Sequence, residues 1–126
     1  MSELGVVAIL RRQHAERTPE RERWVREIRA VVPRVANCLV DEFGATRVVL
    51  FGSLVHGFAH EGSDIDLAVE GIPPNRYFRA LARVAEVACR PVDIVPIEDA
   101  RAEVRFIIER DGQVIRDERH RPAAAP

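Results

Sequence analysis

Gly52 and Ser53 close a short apolar run, and after ten further residues the chain reads Asp64-Ile65-Asp66. Side chains alternate between the two faces of an extended strand, so carboxylates at 64 and 66 point one way while Ile65 and Leu67 point the other. Acids are poor strand formers and two on one face repel each other, so the pattern needs something that offsets the charge. A shared divalent cation does so, and a hard, oxygen-seeking ion such as Mg²⁺ is the usual choice where phosphates are the other ligands. Asp93 adds a third carboxylate on an independent β-branched run, with Val92 and Ile94 turned to the opposite side.

Periodicity around these acids predicts a small α/β (α+β) domain. Residues 47–51 (Arg-Val-Val-Leu-Phe) form a buried strand that ends on the Gly-Ser pair, 64–69 a second strand and 91–96 a third, with a Gly- and His-rich loop over 56–63. Tyr77, Phe78, Leu81, Val84, Ala85 and Ala88 recur at helical spacing within 75–89, which makes the Tyr77-Phe78 pair helix core. Asp99 is the expected cap of a helix over 100–110, with Val104, Ile107 and Ile108 inward and Gly112 as terminator; Val114 and Ile115 suit a short edge strand. Upstream, Trp24, Ile28, Val31, Val35, Leu39 and Phe43 mark one face of a long helix, with Thr18 as N-cap, Pro19 in its first turn and Gly44 as its stop. Pro33 lies inside that pattern and predicts a kink or a break into two helices. Residues 3–15 read as a further helix, and the tail 117–126, without periodicity, as disordered. The expectation is a single domain over 1–116, with N-terminal helices over 1–44 and a core over 47–116. Its small mixed sheet carries the aspartates on one face and helices on the other.

A chain of 126 residues holds one ordinary domain. No apolar run approaches a membrane span, and the stretch 5–10 is followed by Arg11 and Arg12 with no small-residue cleavage site, so a cytoplasmic location is expected. A net charge of −1 argues against binding long nucleic acid through a global electrostatic footprint. Cys38 and Cys89 form no CxxC pair and each falls in an apolar helical stretch, the setting of inert core thiols. Every basic residue is Arg, which excludes a lysine Schiff base and a P-loop lysine. Residues 11–34 hold eight Arg against four Glu, a solvated helix face with pairs such as Glu22 and Arg26, or a docking face for an acidic partner or RNA. His56 and His60 have no Cys or His companions that would make a zinc site; His56 suits a modest place beside phosphates and His60 an exposed loop.

Glycine lets phosphate oxygens approach backbone N–H groups closely, and Ser53 adds a hydroxyl donor. Together with Asp64, Asp66 and Asp93 this is the chemistry of metal-dependent nucleotidyl transfer, with two ions sharing the carboxylates. The stretch over 47–95 resembles the polymerase-β-like nucleotidyltransferase superfamily, and its short length is most similar to the minimal nucleotidyltransferase branch, the antitoxin partners of HEPN-domain RNase toxins. The resemblance implies that Gly52 and Ser53 hold the nucleotide phosphates and that Asp64 and Asp66 bind both Mg²⁺ ions. It implies that Asp93 binds the catalytic ion and helps deprotonate the attacking hydroxyl. It further implies transfer of AMP from ATP to a hydroxyl, a tyrosine on a HEPN toxin, which is thereby neutralised.

In one respect the chain departs from the family: minimal members often read Gly-Ser-x-Ala-Arg-Gly, and here His56 stands where that Arg would be. A permanent cation gives way to a group mostly neutral at pH 7, which bears on nucleotide affinity and partner choice. Larger relatives add a helical domain that grips the acceptor, so the acceptor here is expected from a partner or a second copy of the chain. Two other readings stay open: a binding antitoxin that acts by occlusion, and a transferase that modifies a small molecule.

Overall fold

The computed structural model describes residues 18–56 and 64–119. The expected helix over 3–15, the loop residues 57–63 with His60, and the tail beyond 119 lie outside the described residues.

Helix α1 (Pro19–Phe43) begins as its sequence dictates: the Thr18 hydroxyl accepts from the Arg21 N–H at 3.1 Å, and Pro19 follows where a missing donor costs nothing. Ile28, Val32, Val35, Ala36, Leu39 and Phe43 form its buried stripe. Of the kink or break expected at Pro33, the break does not occur, and the helix runs through it to Phe43. Interior proline costs about 3 kcal/mol. Val32, Val35 and Leu39 flank it, all within 2% of full burial, and each contributes about 1.5–3 kcal/mol, so one continuous face outweighs the break.

The chain continues through β1 (Arg47–Phe51), a one-turn helix α2 (Ser53–His56), β2 (Ile65–Glu70), α3 (Tyr77–Ala88), β3 (Val92–Pro96), α4 (Ala102–Asp111) and β4 (Gln113–Asp117). The strands form one sheet in the order β3-β2-β1-β4. β1 is antiparallel to β2 and β4, and β2 is parallel to β3, so the sheet is mixed as expected. The parallel pair requires a crossover, and α3 supplies it. β4 ends at Asp117, and the Glu118 N–H then donates to the Thr46 carbonyl at 2.7 Å.

Several local expectations are corrected. Asp99 does not cap α4; it ends a 3₁₀ turn (Ile97–Asp99), and Arg101 takes the N-cap position without a side-chain bond. Arg105 locks that turn by donating to the carbonyls of Ile97 and Glu98 at 3.0 and 3.2 Å. Phe78 is 87% exposed while Tyr77 is half-buried, because neighbours on a helix point about 100° apart and the Ala80-Val84-Ala88 stripe selects Tyr77. Ile107 is exposed for the same reason, α4 burying Ile108 with Val104 one turn before it. Cys89 is exposed at the left-handed end of α3, whereas Cys38 is buried, and burial, aided by Glu42, pushes its thiol up to about 11. Gly112 does end α4, but with extended backbone; glycine is needed there because a Cβ would collide with the Ile108 carbonyl and the Val49 side chain.

The two faces of the sheet differ. Val48, Leu50, Ile65, Leu67, Val69, Val92 and Ile94 turn toward α1 and α3 and form the main core. Val49 and Ala68 turn the other way, into a smaller cluster with Ile97 and Ile108. Helix α4 therefore covers part of the second face, where the sequence predicted aspartates without a helix.

Candidate active site

Strand register arranges the second face in rows. Phe51, Asp66 and Asp93 are successive partners across β1, β2 and β3; Val49, Ala68 and Val95 form the next row; Arg47 and Glu70 pair in the last. Ile108 of α4 covers the middle row, and Glu109 reaches the Arg47 guanidinium at 2.7 Å in the last. Arg47 is almost wholly buried there, with Glu70 at 3.5 Å on its other side. The first row stays accessible: Asp93 is exposed and Asp66 half-buried.

Of the three carboxylates expected on one face of the sheet, the ladder brings together two, Asp66 and Asp93. Asp66 and Asp93 are direct partners on parallel strands, so their side chains leave the same face side by side. Asp64 stands one residue before β2, exposed, and not within the strand as expected. Even so Asp66 lies within electrostatic reach of both: its carboxyl is held above the usual carboxylate range, first by burial, then by the charges of Asp93 and Asp64. Among the described residues no His, Cys, Asp or Glu cluster of three or more is closed to metal-ligand spacing. The donor set is entirely carboxylate oxygen, which suits a hard cation of the Mg²⁺ type and not the Cys- or His-bound zinc sites.

Gly52 is tied to this acid in a way that spacing alone did not reveal. Its backbone is left-handed, φ +82°, and a Cβ would stand 2.5 Å from Oδ2 of Asp66, with Cβ and Cγ of the same residue at 3.3 Å. The left-handed backbone favours glycine here, and the Asp66 carboxylate occupies the space a Cβ would take, in addition to any phosphate that approaches the turn. The turn continues into α2, where the Val55 N–H donates to the Gly52 carbonyl at 3.2 Å and Leu54 is buried. The side chains of Ser53 and His56 lie outside what the structure describes. Phe51, beside Asp66 in the first row, and Arg29, whose Nη2 donates to the Leu54 carbonyl at 3.0 Å, were not foreseen. Phe51 could have been found from strand parity. Arg29, one of many arginines on its helix, carries no distinguishing signal in sequence.

Residues 32–123, well over half of the chain, match the family described as the nucleotidyltransferase domain. The chain belongs to that family. A structure described as a minimal nucleotidyltransferase is 30% identical to this nucleotidyltransferase domain, with TM-score 0.60, covering 70% of this chain and 92% of that one. A toxin-antitoxin structure with AMP-PNP aligns with TM-score 0.59 at 21% identity, covering 68% of this chain and 73% of that one. The toxin-antitoxin MntA-HepT structure gives TM-score 0.56 at 18% identity, covering 71% and 72%. At those identities the likeness is one of fold, and it agrees with the mixed sheet and flanking helices described above. No protein of curated function matches the chain. The nucleotidyltransferase domain carries no helix, among its described residues, long and apolar enough to cross a membrane.

Proposed function

We propose that this nucleotidyltransferase domain is the antitoxin of a toxin-antitoxin pair and transfers AMP from ATP to a tyrosine hydroxyl of a HEPN-type RNase partner, so silencing it. The observation that carries the reading is the Asp66-Asp93 register pair, with Gly52 pressed against Asp66 and Asp64 within electrostatic reach. Family membership supplies the reaction class, and the fold shared with toxin-antitoxin structures, one of them with AMP-PNP, supports the nucleotide and the partner.

In this reading Asp64, Asp66 and Asp93 would hold two Mg²⁺ ions. The ions, when bound, stabilise charge on the triphosphate and acidify the acceptor hydroxyl. Gly52 and Ser53 receive the phosphates. Asp93, exposed at the edge strand, accepts the proton as the acceptor oxygen bonds to the α-phosphorus and the bond to the β-phosphate oxygen breaks, releasing pyrophosphate. The acceptor comes from the partner or a second copy of this chain, and ATP and Mg²⁺ are supplied by the cytoplasm.

The test is to purify the chain with the product of its adjacent gene and add Mg²⁺ and α-labelled ATP. Label should appear on the partner and vanish with Asp64→Ala plus Asp66→Ala. Because His56 replaces an arginine of the family pattern, the rival is neutralisation by occlusion alone; that rival wins if the double variant still silences the partner and no label appears with wild type.

A further inference from the structure

Helix α2 is a single turn of four residues, and the last carbonyls of a helix are commonly bonded from outside it. One of them, on Leu54, accepts a partly buried hydrogen bond from Nη2 of Arg29 on α1 at 3.0 Å. Nη1 of the same guanidinium donates to Oε1 of Gln113, the first residue of β4, at 3.4 Å. One planar fork therefore joins α1, the turn after β1 and the start of β4. The Leu54 side chain is 3% exposed and anchored in the main core, so the turn is held from below by apolar packing and at its carbonyl by a charged donor. Gly52, within the same turn, is the residue that abuts Asp66. A rotation of α2 would move Gly52 and Ser53 relative to that carboxylate.

We propose that Arg29 is a positioning residue for nucleotide binding: by fixing α2 it keeps the Gly52-Ser53 turn set against Asp66. This deepens the proposed function and rests on it. Two acceptors on separate elements suit the guanidinium fork, whose N–H directions are fixed in one plane, better than the point charge of an ammonium. One arginine of the Arg-rich helix thereby gains a place at the site, which neither a solvated nor a docking face explains.

The experiment is equilibrium binding of Mg·AMP-PNP to the full chain by calorimetry, with melting curves for each variant. Arg29→Gln should raise Kd about tenfold, the effect of losing one charge-assisted hydrogen bond. Arg29→Lys should recover only part of this, Gln113→Ala should weaken binding less, and Arg26→Gln, an exposed arginine of the same helix, should change nothing. Transfer at saturating ATP should stay within about twofold of wild type, giving a KM effect without a kcat effect. If Arg29→Gln binds as wild type while Asp64→Ala plus Asp66→Ala abolishes binding, the proposal is overturned and the reading of the site survives. A Kd that rises only in proportion to the unfolded fraction also overturns it. If wild type does not bind, the reading of the site fails and the proposal with it.

Discussion

Replacing Gly52 by alanine tests the link between the turn and the acid. Alanine at φ +82° is in the left-handed region, which costs about 1–2 kcal/mol for a residue with a Cβ. The new methyl would also stand 2.5 Å from Oδ2 of Asp66, and moving a half-buried carboxylate aside adds about 1–3 kcal/mol, the range for overpacking. In an Asp66→Ala background Oδ2 and Cγ are gone and only the Asp66 Cβ, at 3.3 Å, stays close, so the cost of Gly52→Ala should fall to the left-handed part alone. Urea unfolding of the four proteins of this double-mutant cycle measures the difference, expected at about 1–3 kcal/mol. Equal costs in the two backgrounds, within about 0.5 kcal/mol, would refute the claim that Asp66 adds to the backbone's preference for glycine at position 52. Mg·AMP-PNP binding should be lost in Gly52→Ala even where it remains folded.

Asp66 is an acid with a raised folded pKa, so its contribution to stability is full below the ordinary carboxylate range and is lost as pH rises through the raised value. Urea midpoints of the metal-free protein between about pH 4 and 7 should fall more steeply for wild type than for Asp66→Asn, and Mg²⁺ should reduce the difference. Arg47, with a side chain 7% exposed and ion pairs to Glu70 and Glu109, should lose about 3 kcal/mol on Arg47→Ala, at the low end for breaking a buried pair because Glu109 is half exposed. Glu109→Gln, measured by the same unfolding curves, should cost much less. The Tyr77 hydroxyl is buried without a hydrogen-bond partner among the described residues, and burial together with Glu98, Asp99 and Asp93 holds the phenol above its usual range. Tyr77→Phe should therefore leave stability unchanged or raise it by up to about 1 kcal/mol in thermal or urea melts.

Strand positions were legible in the sequence because period-two alternation is local: Ile65, Leu67, Val92 and Ile94 went to the main core, and Asp66 and Asp93 to the other face. The Thr18 cap and the stripe from Ile28 to Phe43 were legible for the same reason. What failed was decided by tertiary competition. Pro33 is tolerated because residues on both sides of it are already committed to one core, and Asp99 loses its capping place because Arg105 stabilises a 3₁₀ turn from the following helix. The position of α4 on the aspartate face follows from where Ile108 meets Val49 and Ala68, a contact between segments far apart in the chain. At the site, residue types and spacing pointed to the acids, yet the contact of Gly52 with Asp66 and the bond from Arg29 to Leu54 exist only once the sheet and α1 are assembled.

Whether the face of Asp64, Asp66 and Asp93 transfers a nucleotidyl group is decided by which phosphorus reaches the acceptor. Parallel reactions of the purified complex with Mg²⁺ and ATP labelled at either the α- or the γ-phosphorus separate nucleotidyl from phosphoryl transfer. Label should come from the α position alone and be lost on Asp66→Asn. Label from the γ position, or α-label that persists in Asp66→Asn, would rule out nucleotidyl transfer by this face.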